Sequence, residues 1–373
     1  CYKELIQNCW CDNPNERYTF DHIVELLKSN SDFITDTMDQ DEFYNYVDFV
    51  DGVLLSDESN QEQLLSTTFQ KSSFDINLDD SPFVNDPSLK DNFLNLSEFE
   101  KGKNIIKGKT FKIYQVTHKK TGKIYSAKII TIKLRKMSRN EIINLSREIN
   151  IISQIIHPCI LKFVGYSPTD FLERNRPVMV TELTSKGTLS EILNKKKKLV
   201  LDDTMKLINI YGIAIGMRFL HSHEILHRNL IPESIFVDDN LYPKIGNFGV
   251  SIVSHTQDSM SFQSTIGVKG NPIYSAPEVL EMNDYSKKSE VYSFGLIVYE
   301  IMIDEIQYEN INGLNDLYNE IVIKSKRPEF KVEIEECYRQ LIECCWSQDP
   351  NERPTFQDIV NIIESDERFI TGK

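Results

Sequence analysis

The sequence has no long apolar run and no excess of basic residues. Its 373 residues include 42 Lys and Arg against 56 Asp and Glu, which gives a net charge of −14. A broad basic surface for nucleic acid or anionic lipid is therefore not expected. No stretch approaches the ~20 apolar residues that span a bilayer, and Phe294 to Ile303, which contains Glu300, predicts a buried helix. We predict no nucleic-acid partner and no membrane partner.

Paired cysteine motifs are also missing. The seven cysteines are odd in number and form no Cys-x-x-Cys pair. This pattern argues against a disulfide framework or a zinc site and favours a reduced, cytoplasmic protein. The chain opens with Cys1 and not Met, so we expect a fragment of a longer protein.

An internal repeat joins the two ends of the chain. Residues 1–35 align with residues 337–371 without a gap, at a constant offset of 336. Both copies hold Cys-Trp, Pro-Asn-Glu-Arg and Thr-Phe in the same places, and each is typical of two helices around a turn. Two such helices cannot bury their apolar faces alone, so the first copy either docks elsewhere or ends a preceding domain, and we favour the second interpretation.

Residues 36–95 are interpreted as an acidic, mostly flexible linker with a short helix at 41–49. The stretch from Asp51 to Asp91 holds nine acidic residues against two lysines, with Ser, Asn and Gln between them. From Phe99 onward the pattern predicts strands at 113–116, 124–130 and 178–181. Helical spacing follows at 137–155, 204–221 and 291–303. Strands followed by helices indicate an α+β domain of two lobes.

Short motifs follow one another in a fixed order through this region. They are Ser126-Ala127-Lys128 on a strand, Glu148 on a helix, His227-Arg228-Asn229, Asn247-Phe248-Gly249, Ala276-Pro277-Glu278 and Arg353-Pro354. Each motif alone is weak, but the ordered series resembles the protein kinase family from Phe99 to Phe369. The Cys-Trp…Pro-Asn-Glu-Arg-Pro-Thr-Phe tail is similar to the tyrosine-kinase-like group, whose members mostly act on Ser or Thr.

The resemblance implies a two-lobed α+β fold. A small β-rich lobe with one key helix would cover about 96–181, and a large helical lobe about 185–371. It also makes residues 1–35 the C-terminal helical fragment of an upstream kinase domain, so the parent protein resembles a tandem kinase. Residues expected to hold the scaffold are Glu148, His227, Arg228, Phe248, Glu278, Glu290 and Arg353.

The positions that carry chemistry in this family are degenerate here. Asn229 replaces the aspartate that accepts the substrate proton, and Ile231 replaces a lysine that steadies the phosphoryl group. Ser234 and Asn247 replace the two metal ligands. Mg²⁺ favours hard, charged oxygen ligands, so we expect it to bind poorly and predict no metal site. A neutral amide cannot act as a general base.

The residues that match the family's nucleotide pocket also depart from its pattern. Candidate nucleotide-binding residues are Gly108, Ile113, Lys128, Thr181, Glu182, Thr184 and Phe236. Gly108 is the one glycine left in the stretch that matches the phosphate-binding loop, where Phe111 stands at another glycine position. Phe236 is bulky for the floor of an adenine pocket. The hypothesis is that its ring partly fills the pocket, so that ATP binds weakly or not at all; the alternative is that the ring turns aside.

Three functional interpretations follow. The first is a catalytically impaired pseudokinase that acts through protein partners or allosteric control, with the upstream domain as a candidate partner. The second is an active Ser/Thr kinase with atypical metal use, and the third is a non-catalytic ATP-binding switch.

Overall fold

The computed structural model describes residues 39–52, 92–108, 110–194, 199–253, 271–303, 313–330 and 332–371. The predictions for residues 1–35 lie outside these ranges, as does most of the acidic linker. None of the described helices combines the length and apolar character that crossing a bilayer requires.

The small lobe is a five-stranded antiparallel sheet in the order β1-β2-β3-β5-β4. Its strands are β1 (Phe99–Lys107), β2 (Phe111–His118), β3 (Ile124–Ile130), β4 (Phe163–Ser167) and β5 (Val178–Glu182). Gly122, at a φ of +68°, allows the tight turn between β2 and β3. The other strands are β6 (Gly187–Thr188), β7 (Ile225–Leu226), β8 (Ile235–Val237), β9 (Pro243–Ile245) and β10 (Ile252–Val253).

The large lobe is built from helices. The helices of the chain are α1 (residues 40–52), α2 (Arg139–Ser153), α3 (Leu189–Leu193), α4 (Asp203–Ser222), α5 (Pro277–Met282), α6 (Lys287–Ile303), α7 (Leu314–Tyr318), α8 (Glu336–Cys345), α9 (Phe356–Ser365) and α10 (Arg368–Thr371). A π-helical turn, Asn319–Ile323, follows α7. α4 and α6 lie at the centre of the core, and almost every residue of each is buried. The buried helix predicted at Phe294 to Ile303 is the second half of α6.

Local sequence signals explain where the main helices begin. Ser138 caps α2 in a reciprocal pair with Glu141, whose carboxylate accepts the Ser138 backbone N–H at 2.7 Å. Asp202 caps α4 by accepting the N–H of Met205 at 2.8 Å. α2 packs between the sheet and the large lobe and is the single helix of the small lobe. The predicted two-lobed α+β fold is confirmed.

The linker interpretation needs a correction at both of its ends. The helix expected at 41–49 covers residues 40–52, and it packs on the large lobe through Phe43, Tyr46 and Val50, all buried. These residues recur at i, i+3 and i+7, a spacing that places them on one helix face. At the other end, the backbone N–H of Leu94 donates to Tyr166 in β4 at 2.7 Å. The folded domain therefore includes residues on both sides of 53–91.

A buried ion pair ties the C-terminal region of the large lobe to α5. The guanidinium of Arg353, 1% exposed, donates to both carboxylate oxygens of Glu278 at 2.7 and 2.9 Å. Its Nε donates to the backbone oxygen of Ser347 at 2.9 Å. Such two-point geometry is specific to arginine and carboxylate.

Removing this guanidinium should leave Glu278 with an unpaired charge. We expect Arg353→Met to lower the free energy of unfolding by about 3 kcal/mol. The control is Arg368→Met, since Arg368 pairs with Asp366 at the surface and its loss should cost less than about 1 kcal/mol. Urea unfolding measures both, and equal losses would contradict the assignment.

Candidate nucleotide and catalytic site

β3 and α2, both in the small lobe, bring the retained charge pair together. The Nζ of Lys128 lies 3.0 Å from Oε1 and 3.2 Å from Oε2 of Glu148. Lys128 stands opposite Ile113 in the β2–β3 ladder, and Glu148 lies on the buried face of α2. The pair holds a cation at the inner end of the cleft, where it could meet a phosphate.

A second group of retained residues connects α2 to the large lobe. The rings of His227 and Phe248 are fully buried and pack edge to face, with centroids 5.0 Å apart. Burial lowers the pKa of His227, so its ring is neutral, and its Nε2–H donates to the backbone oxygen of Gly246 at 2.8 Å. Phe248 begins a 3-10 turn that packs on α2. This packing holds Asn247 and Gly249 beside the cleft.

The loop that contains Asn229 and Ile231, which matches the catalytic loop of the family, is held by Glu290 from α6. One carboxylate oxygen accepts the backbone N–H of Arg228 at 2.5 Å, and the other lies 2.6 Å from Nε2 of His221. Arg228 adopts a left-handed φ of +60° here, and its guanidinium stacks on the ring of Tyr285 at 4.4 Å. The sequence interpretation included Glu290 and Arg228 but missed His221 and Tyr285, for which it offered no distinct signal.

The three degenerate polar positions converge on one another. Ser234 ends a 3-10 turn after the catalytic loop, and Asn247 follows β9 in the left-handed region, which asparagine tolerates. The amide nitrogen of Asn229 donates to Oγ of Ser234 at 3.1 Å. The amide nitrogen of Asn247 lies 3.5 Å from the same oxygen and donates to the backbone oxygen of Glu233 at 3.2 Å.

This network fixes which way the amide of Asn247 points. A backbone carbonyl can only accept, so the NH₂ group of Asn247 must face Glu233. The amides of Asn229 and Asn247 therefore direct N–H donors at the oxygens of Ser234 and Glu233. Mg²⁺ favours charged oxygen ligands, and none of the side chains at 229, 234 and 247 carries a charge, so this arrangement does not fit the ion.

Ile231 lies in the same loop, three residues before Ser234. Its side chain is 9% exposed and packs with the core of the large lobe. An alkyl group can neither donate a hydrogen bond nor neutralise a phosphate, so this position supplies no charge to the cleft.

The β1–β2 hairpin closes over the cleft more tightly than a glycine-rich loop would. The N–H of Gly108 donates to the backbone oxygen of Phe111 at 3.0 Å. The Phe111 ring lies so near Gly108 that a Cβ there would meet its Cζ at 3.1 Å. The ring centroid is 5.8 Å from Nζ of Lys128. An aromatic ring thus lies between the hairpin tip and the cation, near where phosphates would need open backbone N–H groups.

At the floor of the cleft, Phe236 packs against a glycine. A Cβ at Gly246 would meet Cε2 of the Phe236 ring at 2.8 Å and a methyl of Leu161 at 3.2 Å. The glycine gives the large ring room on the floor. Whether the ring also blocks adenine stays a hypothesis.

The hinge side of the cleft contains the other candidate residues. Thr181 is buried in β5, directly opposite Ser126. The carboxylate of Glu182 accepts the backbone N–H of Lys162 at 2.8 Å, so this side chain turns away from the cleft. The backbone oxygen of Thr184 accepts the N–H of Gly187 at 3.4 Å.

Residues 99–362, more than two thirds of the chain, match the protein kinase domain. The chain belongs to the protein kinase family. Relatives include the dual specificity protein kinases shkC, 30% identical over 65% of this chain, and pyk3, 28% identical over 97%, both from Dictyostelium discoideum. The Arabidopsis thaliana serine/threonine/tyrosine-protein kinase HT1 is 27% identical over 72% of this chain and 66% of its own length. The chain spans 48% of shkC and 24% of pyk3.

The amide orientation at Asn247 makes a specific prediction. In Asn247→Asp a carboxylate oxygen would face the Glu233 carbonyl oxygen, so the variant should lose about 1–3 kcal/mol of stability without a divalent cation. Added Mg²⁺ should recover part of that loss by bridging the two oxygens.

Thermal unfolding with EDTA and with Mg²⁺ measures both effects. The matched control is Asn240→Asp, which adds the same charge at an exposed turn and should respond to neither condition. An Asn247→Asp protein as stable as the parent in EDTA would contradict the deduced orientation.

Proposed function

We propose that this domain is a pseudokinase: a kinase-fold signalling protein that acts by protein interaction or allosteric control and does not transfer phosphate at a useful rate. The observation that carries the proposal is the contact among Asn229, Ser234 and Asn247, in which the two amide nitrogens donate to Oγ of Ser234 and to the backbone oxygen of Glu233. In the family that the chain resembles, aspartates stand at 229 and 247 and an asparagine at 234, so two anionic groups are missing.

The size of the deficit supports this proposal. A positioned general base contributes roughly 10²–10⁴-fold, and an amide at 229 cannot supply it. Metal ions contribute several kcal/mol of transition-state stabilisation, and no charged ligand stands at 234 or 247. Such losses are not additive, but all of them concern charge neutralisation of the phosphoryl group.

An active Ser/Thr or dual-specificity kinase with atypical metal use is the second candidate. It is favoured by the Lys128–Glu148 pair at 3.0 Å and by the names of the relatives, which are kinases. The pair is also a structural contact between β3 and α2, so its retention is compatible with either function. A non-catalytic ATP-binding switch is the third candidate, because Lys128 could still attract a phosphate.

The proposed partners are proteins, with an upstream kinase domain of the same polypeptide as the first candidate. The repeat at residues 1–35 and the similarity to pyk3 over 97% of this chain both support a tandem arrangement. We propose a cytoplasmic location on the cysteine pattern alone.

The proposal predicts no phosphate transfer that depends on Lys128. The purified chain is assayed with radiolabelled ATP and Mg²⁺ or Mn²⁺, on itself and on a general protein substrate. Lys128→Ala and the exposed control Lys136→Ala should both give the same background of transferred phosphate as the unaltered chain, because the unaltered chain itself would not support turnover. The Asn229→Asp/Asn247→Asp double variant is assayed beside them. Transfer by the unaltered chain that Lys128→Ala abolishes and Lys136→Ala leaves intact would establish the second candidate.

Nucleotide binding separates the first and third candidates. We expect ATP to shift the melting temperature of the unaltered chain little, and equally with Mg²⁺ or EDTA, because the side chains at 229, 234 and 247 offer the ion no charged ligand. Phe236→Leu should bind ATP more tightly if the ring fills the adenine pocket. Tight, Mg²⁺-dependent binding by the unaltered chain would favour the switch.

A further inference from the structure

α1 covers a face of the large lobe with several aromatic contacts. The ring of Phe43 packs edge to face on Tyr211 in α4, with centroids 5.4 Å apart. The ring of Tyr46 lies 6.4 Å from Tyr211 and 4.5 Å from Tyr242, in the turn between β8 and β9. Val50 is fully buried on the same face. We call this site, lined by Tyr211, Gly212, Tyr242 and Pro243, the α1 groove.

The groove is shaped for this helix at two further points. Asp39, the residue before α1, is anchored at the start of α4, where its backbone N–H donates to Oγ1 of Thr204 at 2.9 Å. In the middle, a Cβ at Gly212 would meet Oη of Tyr46 at 2.2 Å, so the absence of a side chain there makes room for the hydroxyl. The fit is therefore specific and not a general hydrophobic contact.

Tyr46 also reaches a loop of the small lobe that is hydrogen-bonded to the large lobe. Its hydroxyl lies 3.3 Å from Sγ of Cys159, in the loop between α2 and β4. That loop is attached to β9: the N–H of Ile245 donates to the Cys159 oxygen at 2.8 Å, and Lys244 Nζ donates to the Pro158 oxygen at 2.7 Å. α1 thus packs on the loop that leads from the Glu148 helix into the sheet.

We propose that α1 is a docking helix that holds the polypeptide preceding residue 39 on the large lobe and braces the loop at residues 157–161. The inference deepens the proposed function, on which its regulatory meaning rests, by naming the route from the upstream region to the cleft. Three residues separate Thr35, where the first repeat copy ends, from Asp39.

The occupant is this chain's own segment because it is seated there and covalently attached. Attachment gives it an effective concentration that a free competitor would have to exceed. The same helix from a second copy could enter the groove by exchange, and this is the alternative that the test must separate.

The test uses Cys159 as a reporter of docking in the full chain. Burial raises the pKa of this thiol to about 11, so it reacts slowly while α1 covers it. The variant is Phe43→Asp/Val50→Asp, which places two charges on the buried face of α1. The matched control is Tyr44→Asp/Asn45→Asp, which places the same charges at exposed positions of the same helix.

Iodoacetamide labelling is followed by peptide mass spectrometry, with the fully buried Cys345 as an internal gauge of global unfolding. We expect Cys159 to be labelled at least about tenfold faster in the docking variant, with Cys345 unchanged. Amide hydrogen exchange at 157–161 should rise with it. The control should match the parent in all three readouts.

Each other outcome overturns the proposal. Unchanged labelling of Cys159 would mean that α1 does not cover it. Equal acceleration at Cys159 and Cys345 would make α1 an inseparable part of the core. Faster labelling without faster exchange at 157–161 would show that α1 does not brace this loop. A parent protein that runs as a dimer in size-exclusion chromatography, with the dimer lost in the docking variant, would assign the groove to a second copy. These readouts involve no nucleotide, so a phosphate-transferring chain would refute the pseudokinase proposal and leave this one standing.

Discussion

The carboxylate of Glu290 fixes the conformation on which the whole cleft depends. It is buried, it accepts the backbone N–H of Arg228, and its second oxygen lies within hydrogen-bond distance of the His221 ring. Arg228 adopts a left-handed backbone that a bulky residue keeps only when its surroundings hold it there. Because the chain itself supplies this constraint, the catalytic loop keeps its shape without a metal ion or a nucleotide.

This explains how the scaffold can persist although residues 229, 231, 234 and 247 depart from the family's pattern. His227 and Phe248 are buried in the core, where a change would open a cavity or strand a polar group. Asn229 and Asn247 face the cleft, where two anionic groups without a metal would repel each other and the Glu233 carbonyl. With amides, Ser234 Oγ and the Glu233 carbonyl accept hydrogen bonds from the chain itself. The amide nitrogens of Asn229 and Asn247 therefore find acceptors within the chain itself.

The sequence predicted the features that local patterns encode. The order of strands and helices predicted the two-lobed fold, and the resemblance to protein kinases singled out Lys128 and Glu148, which the structure places 3.0 Å apart. Contacts between distant segments were not predictable in the same way. The packing of Phe236 on Gly246 and of Phe111 toward Lys128 depends on ring orientations that no linear pattern specifies. The apolar face of α1 was visible at i, i+3 and i+7, but an acidic surrounding composition favoured a linker.

The position of α1 connects these observations. The loop at 157–161 follows the helix that carries Glu148 and is hydrogen-bonded to β9, which leads directly to Asn247. A helix packed on that loop therefore touches a segment that contacts elements on both sides of the cleft. In an active kinase a change there would alter the rate of phosphate transfer. In a domain whose polar cleft residues are hydrogen-bonded to one another, the same displacement would change the surfaces that a partner can bind. On this proposal, α1 is the physical link between an upstream domain and this one.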